Sequence, residues 1–272
     1  MTDTVTVLPA TATTTVQPRR WGLIRHSLLL AARSLLKTRR NPGILFDALF
    51  LPIVFLLMFV YLFGGAVAGS TRDYLQYVFP GLLVMATIMA GLLATGVSLS
   101  IDVKKGVFDR FRSLPIGRSV PLLGSVLGDM IRYLVTLTVM FGLGYLLGFR
   151  VRTGLLSALA ACGLAVLLGF CMSWMNVLVG VLIRETTIVQ TVGFLGIFPL
   201  AFGTSMVAPV NTLPGWLQAW VKINPVSHAI DATRGLLLGG PVAGPVVRTV
   251  LWSAAFLIVF APLAVAAYRR RT

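Results

Sequence analysis

Six apolar segments, each long enough to cross a lipid bilayer as a helix, constrain this chain more than any other feature. A helix needs about 20 apolar residues to cross the hydrocarbon layer. Charged residues make up only 11% of the 272 residues, whereas a soluble domain carries about 25%. The sequence therefore predicts an all-α integral membrane protein with six transmembrane helices, at about residues 44–64, 77–101, 120–148, 155–183, 187–207 and 246–268.

The basic residues predict the orientation of these helices. The net charge is +15, but Lys and Arg lie between apolar segments rather than on one polar domain, so the charge does not indicate nucleic-acid binding. Cytoplasmic loops of membrane proteins are enriched in Lys and Arg. With the N-terminus inside, both termini are cytoplasmic and most of the 23 Lys and Arg residues lie inside. The exceptions are Arg72, Arg150, Arg152, Lys222, Arg234 and Arg248.

The chain before the first apolar segment divides into two parts. Residues 1–18 are rich in Thr, Val and Pro and have no basic stretch before an apolar core. We predict a disordered tail there rather than a signal peptide. Residues 19–40 combine apolar residues at helical spacing with basic residues off that stripe, which predicts an amphipathic helix on the cytoplasmic membrane surface. Its characteristic residues are Trp21, Ile24, Leu28, Arg33 and Lys37.

A basic island interrupts the apolar pattern between the second and third segments. In residues 102–114, apolar side chains recur at helical spacing and charged residues fill the other faces. Two interpretations fit: an interfacial helix anchored by its basic face, or a coupling helix whose apolar face docks into a cytoplasmic partner. The residues concerned are Asp102, Lys104, Lys105, Val107, Phe108, Asp109, Phe111, Arg112 and Leu114.

The search for an energy source favours coupling. Carriers driven by protons or sodium keep ionisable residues near the bilayer midplane, and the predicted spans place none of the eight acidic residues there. Asp129 comes closest, and we predict that it pairs with Arg132 at the inner interface, where water reaches the carboxylate. The chain has no G-x-x-x-x-G-K-[ST] motif. A transporter of this kind must take its energy from a partner, through the basic island.

An intramembrane enzyme is the competing class, and the sequence argues against it. Such an enzyme needs a nucleophile with its base, two transmembrane acids or a set of metal ligands. The two histidines, His26 and His228, fall on opposite sides of the predicted membrane, and no H-E-x-x-H or G-x-S-x-G motif occurs. We therefore expect no catalytic, cofactor-binding or metal-binding residues in this chain.

The connection at 209–240 is too apolar for an ordinary loop. Trp216 and Trp220 share one face of a short helical segment. Asn224 and Pro225 are suited to cap and begin a second helix, and the two glycines at 239 and 240 would end it. We predict two short helices that dip into the outer leaflet, shielded by neighbouring protein, with the tryptophans at the interface.

Three stretches of the sequence carry a family resemblance: QYVFPGLLVM (76–85), KGVFDRFRSLPIGRSVPLLGSVLGDMIR (105–132) and NPVSHAIDATRGLLLG (224–239). They resemble those of ABC-2-type ATP-binding-cassette exporter permeases, most closely the daunorubicin-resistance-type drug-export permeases. Members often carry an acidic residue, Gly-Thr and a second acidic residue in the first cytoplasmic loop. Here Asp102 takes the first place, Val107 replaces the Thr, and Asp109 is the later acid. The likeness covers about residues 20–270.

The resemblance implies a division of work between subunits. Two permease copies would form a homodimer around the pathway, and two copies of a separate ABC ATPase subunit would bind ATP and Mg on the cytoplasmic side. Residues 102–114 would be the coupling helix, 19–40 the connecting helix and 41–272 the transmembrane domain. The external helices at 209–240 would form a gate region, in which we select Trp216, Trp220, His228, Asp231 and Arg234.

The resemblance also implies export across a bacterial inner (plasma) membrane. We favour a hydrophobic or amphipathic drug or antibiotic-like compound as the substrate, because the spans carry many aromatic side chains. Export of a polysaccharide, glycolipid or lipid is the alternative within the same family. A secondary transporter or an intramembrane enzyme is the remote alternative.

Overall fold

The computed structural model describes residues 42–104, 120–183 and 185–271, and these form helices joined by short connections. Eight α-helices lie within these ranges. In chain order they are α1 (Pro42–Ala68), α2 (Thr71–Lys104), α3 (Val120–Leu147), α4 (Leu155–Leu182), α5 (Thr186–Phe202), α6 (Gly215–Ile223), α7 (Pro225–Leu238) and α8 (Ala243–Arg271), and one 3-10 turn, Val210–Thr212, precedes α6.

Within the described ranges, four helices are long and apolar enough to cross a membrane, judged by length and composition. The stretches concerned are Thr71–Gly91, Asp129–Leu147, Leu155–Leu182 and Ala243–Tyr268. The apolar stretches Leu49–Gly65 of α1 and Thr186–Phe202 of α5 are shorter. The α5 helix has 17 residues, about 26 Å at 1.5 Å per residue. Six spans and the orientation of the chain stay predictions.

The second helix is longer than the sequence predicts, because α2 begins at Thr71 instead of residue 77. Ser70 accounts for the earlier start. Its Oγ accepts a hydrogen bond from the Asp73 backbone N–H at 3.0 Å and donates to the Asp73 carboxylate at 2.6 Å. This N-cap satisfies one backbone donor that the first turn would otherwise leave unpaired. At its other end α2 runs to Lys104, so it takes up the first three residues of the predicted coupling helix.

The fifth helix is shorter than predicted, ending at Phe202 instead of residue 207. Beyond it, side chains of α2 donate hydrogen bonds to carbonyl oxygens of the non-helical segment. Tyr77 Oη donates to Ser205 O at 2.9 Å, and Tyr74 Oη donates to Val207 O at 3.0 Å. A segment can leave the helical conformation inside a protein only when its polar backbone groups find such partners.

The α2 helix is the centre of the bundle. It packs against α1, α3, α4, α5 and α7, and its largest buried side chains include Tyr74, Phe79, Leu82 and Leu83. Glycines permit the close approach of its neighbours, since a Cβ on Gly144 of α3 would collide with the Phe79 ring. The outer helix α8 packs mainly on α4 and α7.

Several sequence predictions lie outside the described residues. The predicted tail 1–18, the connecting helix 19–40 and residues 105–114 of the coupling helix are among them, as are the side chains of Asp102 and Lys104. The residues affected in the connecting helix are Trp21, Ile24, Leu28, Arg33 and Lys37, and those in the island are Lys105, Val107, Phe108, Asp109, Phe111, Arg112 and Leu114.

Candidate functional site

The α7 helix carries three of the five residues selected for the gate region, and its ends form as the sequence predicts. Asn224 is the N-cap: its side chain accepts a hydrogen bond from the Val226 backbone N–H at 2.9 Å, and Pro225 opens the helix. Gly239 ends it with φ 93°, a left-handed conformation that costs glycine little. The position of His228, Asp231 and Arg234 along the helix is therefore fixed by local sequence.

The same cap residue joins α7 to the end of α5. The Asn224 Nδ2 amide donates to the carbonyl oxygens of Leu200 and Gly203, both at 2.8 Å. Asn224 is buried, so an apolar side chain there would leave two carbonyl oxygens and one N–H without partners. One amide side chain therefore secures two helix ends at once.

Arg234 is the centre of a polar cluster, the Arg234 cluster, consisting of Tyr77, Ser205, Asp231 and Arg234. Its guanidinium donates to Asp231 Oδ1 at 3.2 Å and to Ser205 O at 3.0 Å, and it lies 4.2 Å from the centre of the Tyr77 ring. Ser205 Oγ donates to Asp231 Oδ1 at 2.8 Å. The cluster fastens α7 to α2 and to the segment after α5.

The other end of α7 contacts the connection between α3 and α4. The Arg152 backbone N–H donates to Leu237 O at 2.9 Å, and the Thr153 hydroxyl donates to Leu236 O. Gln76 Nε2 of α2 donates to Gly148 O at 3.2 Å in the same connection. The last carbonyl groups of α7 are thus bound by protein groups rather than left open.

His228 is buried on the first turns of α7, beside the last helix. Burial lowers the pKa of His228 below its ordinary value of 6.5, and the nearby positive charge of Arg248 lowers it further. Asp231 and a hydrogen bond with the Lys222 backbone act in the opposite direction with smaller effect. The imidazole is therefore neutral at pH 7.

The two tryptophans of α6 are exposed. The Trp216 side chain is 75% exposed and Trp220 is 42% exposed, and they lie one turn apart. Trp220 also packs over Gly203, where any side chain would strike the indole ring. Exposed tryptophans with a polar N–H and an apolar ring suit the boundary between lipid and water.

The predicted Asp129–Arg132 pair forms, but its surroundings differ from the prediction. Arg132 Nη1 lies 2.8 Å from Asp129 Oδ1. Both residues are buried against the rest of the bundle, at 5% and 8% exposure, so the carboxylate is not open to bulk water as expected. The sequence suggested an interfacial pair because it could not show that α2 and α4 cover this face of α3.

A row of six phenylalanines joins α5 to α1. Neighbouring ring centroids lie between 4.6 and 5.9 Å apart, close enough for aromatic contact. Two of the rings, Phe194 and Phe198, are exposed on α5. The members in spatial order are Phe194, Phe198, Phe202, Phe55, Phe59 and Phe63.

The side chains described above hold neighbouring helices together. The polar groups of the Arg234 cluster are engaged with one another and with backbone carbonyls. Across the described ranges, no group of three or more His, Cys, Asp or Glu residues is placed to hold a metal ion. Sequence reasoning missed Tyr77 and Ser205, since their role depends on partners far away along the chain.

Comparison with known proteins gives one family and several relatives. The profile of the ABC-2 type transporter family matches residues 26–238. The chain is 40% identical over 255 residues to the daunorubicin resistance ABC transporter permease protein DrrB1 of Streptomyces coeruleorubidus, covering 94% of this chain and 90% of that protein.

Two further relatives extend the comparison. The chain is 33% identical over 248 residues to the probable doxorubicin resistance ABC transporter permease protein DrrC of Mycobacterium tuberculosis, covering 91% of this chain and 89% of that protein. It is 26% identical over 174 residues to the probable multidrug ABC transporter permease YbhR of Escherichia coli, covering 61% of this chain and 45% of that protein.

Proposed function

The chain belongs to the ABC-2 type transporter family, and on that premise we propose that it is the membrane-spanning permease subunit of an ATP-driven exporter. It is a multi-pass membrane protein. The observation that carries the proposal is the 40% identity to a daunorubicin resistance permease along 94% of the chain. A match of this length includes most of the helical bundle rather than one shared segment.

The proposed substrate is a hydrophobic or amphipathic compound with a flat aromatic part. The relatives are named for resistance to daunorubicin and doxorubicin. The phenylalanine row between α5 and α1 supports the proposal, because stacked or edge-on aromatic contacts favour planar ring systems. Exposed Phe194 and Phe198 would receive such a compound where a second copy of the chain faces the first.

The energy would come from a separate ABC ATPase subunit that binds ATP and Mg. In this proposal two ATPase copies dock on the cytoplasmic side of a permease homodimer in the bacterial inner membrane, with both permease termini cytoplasmic. Residues 102–114 act as the coupling helix and residues 19–40 as the connecting helix. The backbone of α2 leads directly into this region, since it continues to Lys104.

The outer part of the pathway would be controlled by the helices at 209–240. The Arg234 cluster and the Asn224 cap support this role, because they attach α7 to α2 and α5. The exposed Trp216 and Trp220 would hold α6 at the outer interface.

ATP-dependent transport tests the proposal. The chain would be co-expressed with a candidate P-loop ATPase subunit, and daunorubicin uptake would be measured in inverted membrane vesicles. We expect uptake that requires ATP and both subunits. Uptake by the permease alone, driven by an ion gradient, contradicts the proposal. ATP-dependent transport of a lipid or glycan precursor without any drug transport would keep the permease assignment and reject the drug.

Replacement of Phe111 tests the coupling helix. Phe111→Asp places a charge on the predicted apolar stripe, so the ATPase should no longer dock and ATP-dependent uptake should fall at least tenfold while membrane insertion is unchanged. Phe111→Leu is the matched control and should retain most of the uptake. Normal transport by Phe111→Asp would refute the coupling role of this segment.

A further inference from the structure

A column of polar side chains runs along the inner face of α3. Asp129, Arg132, Tyr133 and Thr136 follow one another at helical spacing over two turns. They lie at the beginning of an apolar stretch, Asp129–Leu147, that is long enough to cross a membrane. All four are buried against the rest of the bundle.

Three of these side chains carry a buried polar atom without a hydrogen-bond partner. They are Arg132 Nε, Tyr133 Oη and Thr136 Oγ1, on residues that are 8%, 0% and 1% exposed. The guanidinium of Arg132 is only partly used, since its Nη1 atom pairs with Asp129. Each of the three atoms therefore has an N–H or O–H donor at a place that bulk water does not reach.

Among the described residues, two polar side chains on the neighbouring helices use their hydroxyl hydrogens elsewhere. On α2, the Thr87 hydroxyl donates to Leu83 O at 2.8 Å in its own helix. On α4, Ser173 lies beside the Tyr133 phenol. Its hydroxyl hydrogen goes to Phe170 O at 2.7 Å, so Ser173 could only accept from the phenol, and the two hydroxyls do not meet in a hydrogen bond. The phenol instead packs on Gly91 of α2, where a side chain would collide with it.

The energy of this arrangement argues for a bound molecule. A buried polar group without a partner destabilises the folded state, and a charged group does so more strongly. Three such groups on one helix face would cancel a large part of the stability of a typical domain. Folded proteins satisfy such groups with buried water, which commonly makes about three hydrogen bonds. The N–H of Arg132 and the hydroxyls of Tyr133 and Thr136 are groups that water can bind.

We propose that the polar column of α3 is a water-binding site between α2, α3 and α4. Arg132 Nε donates to the bound water, and the hydroxyls of Tyr133 and Thr136 donate or accept. The site does not depend on the proposed export function. It adds a property to α3, since water can change its hydrogen-bond partners as neighbouring helices shift, whereas a direct side-chain bond would break.

Thermal unfolding of point variants in lipid nanodiscs tests the site. In a hydrated site, Tyr133→Phe and Thr136→Val each remove a hydrogen bond to water and lower the Tm. The double variant should lose less than the sum of the two, because both hydroxyls serve one water network. Thr138→Val is the control, since Thr138 is exposed on the same helix and bonds only to Leu134 O. An increase in Tm for Tyr133→Phe would show a dry site and overturn the proposal.

Radiolytic hydroxyl-radical labelling of the unaltered full-length chain gives an independent result. Radicals form from water, so a side chain beside bound water is oxidised even when it is buried. We expect Tyr133 to be labelled several times faster than Phe79, an equally buried aromatic residue in an apolar part of the core. Equal slow labelling of Tyr133 and Phe79 would overturn the water site, whatever the result of a transport assay.

Discussion

At the scale of single residues, Arg234 makes the most varied set of contacts in the candidate site. It combines an ion pair with Asp231, a hydrogen bond to Ser205 O and a cation–π contact with Tyr77. Only a planar guanidinium can make these contacts at the same time. The aromatic face of Tyr77 and the carbonyl of Ser205 lie on different parts of the bundle, so one side chain holds two parts together.

Arg234→Lys tests this dependence on geometry. The ammonium group keeps the charge but cannot stack on Tyr77 while it bonds to two acceptors, so we expect a loss of about 1–3 kcal/mol in the free energy of unfolding. Chemical unfolding in mild detergent would measure it. Lys222→Arg, a similar exchange at an exposed position on α6, serves as the control. Equal stability of Arg234→Lys and the unaltered chain would contradict the role of the guanidinium.

His228 predicts a pH dependence of stability. Its folded pKa lies below the ordinary value of 6.5, so the unfolded chain takes up a proton first as the pH falls. The stability contributed by the neutral imidazole is therefore complete above pH 6.5 and is lost as the pH falls below that value. Of the surrounding charges, Arg248 strengthens the effect, whereas Asp231 weakens it.

Tm measurements between pH 5 and pH 8 would check this prediction. We expect the Tm of the unaltered chain to fall on acidification more than the Tm of His228→Gln, whose side chain does not titrate. If the Tm of the two proteins changes with pH in the same way, His228 does not contribute to the pH dependence of stability.

At the scale of helices, glycine contacts set the spacing of the bundle. A Cβ on Gly180 of α4 would lie 2.6 Å from the Gly96 carbonyl oxygen of α2. Because that neighbour is backbone, it cannot move aside as a flexible side chain could. The contact permits α2 and α4 to approach closely, as small residues do between helices in membranes.

Gly180→Ala should separate α2 from α4 and destabilise the protein by about 1–3 kcal/mol. Gly163→Ala on the same helix is a matched control: nothing lies within 4 Å of its Cβ position, and alanine favours helix formation by about 1 kcal/mol. Thermal unfolding would give the Tm of each variant. Similar Tm values for Gly180→Ala and Gly163→Ala would contradict the close contact between α2 and α4.

Helix ends that depend on neighbouring residues can be predicted from the sequence, and long-range contacts cannot. Asn224, Pro225 and Gly239 specify the limits of α7 locally, and the structure confirms them. The Ser70–Asp73 cap could also have been predicted from the sequence. The apolar pattern alone, however, placed the start of α2 too late. Tyr77 and Arg234 are 157 positions apart, so no local pattern links them. The early end of α5 likewise depends on side chains from α2 and α7.

At the scale of the whole molecule, the predicted orientation follows from the distribution of basic residues. The N-terminal region and the island at 102–114 are predicted on one side, and α6 with α7 on the other. Four apolar stretches long enough to span support a multi-pass arrangement, and the family supplies the transport role.

Labelling of single cysteines tests the orientation. In a background with Cys162→Ser and Cys171→Ala, we expect Asn211→Cys to react with a membrane-impermeant maleimide in intact spheroplasts. Ser113→Cys should react only after the membrane is opened. External labelling at position 113 would reverse the topology and remove the basis for a cytoplasmic ATPase partner.

The hydrogen bonds beyond α5 have a mechanical consequence. Asn224, Tyr74 and Tyr77 bind carbonyl oxygens of the non-helical segment and of the α5 tip. Pulling α7 away from α5 would take the Asn224 amide from the carbonyl oxygens of Leu200 and Gly203, without water to replace it. Pulling α2 away would likewise take the tyrosine hydroxyls from the carbonyl oxygens of Ser205 and Val207. The tip of α5, the first turns of α7 and the beginning of α2 should therefore travel as one rigid block. The passage would widen by displacement of whole blocks, with the hinges at other places along the helices.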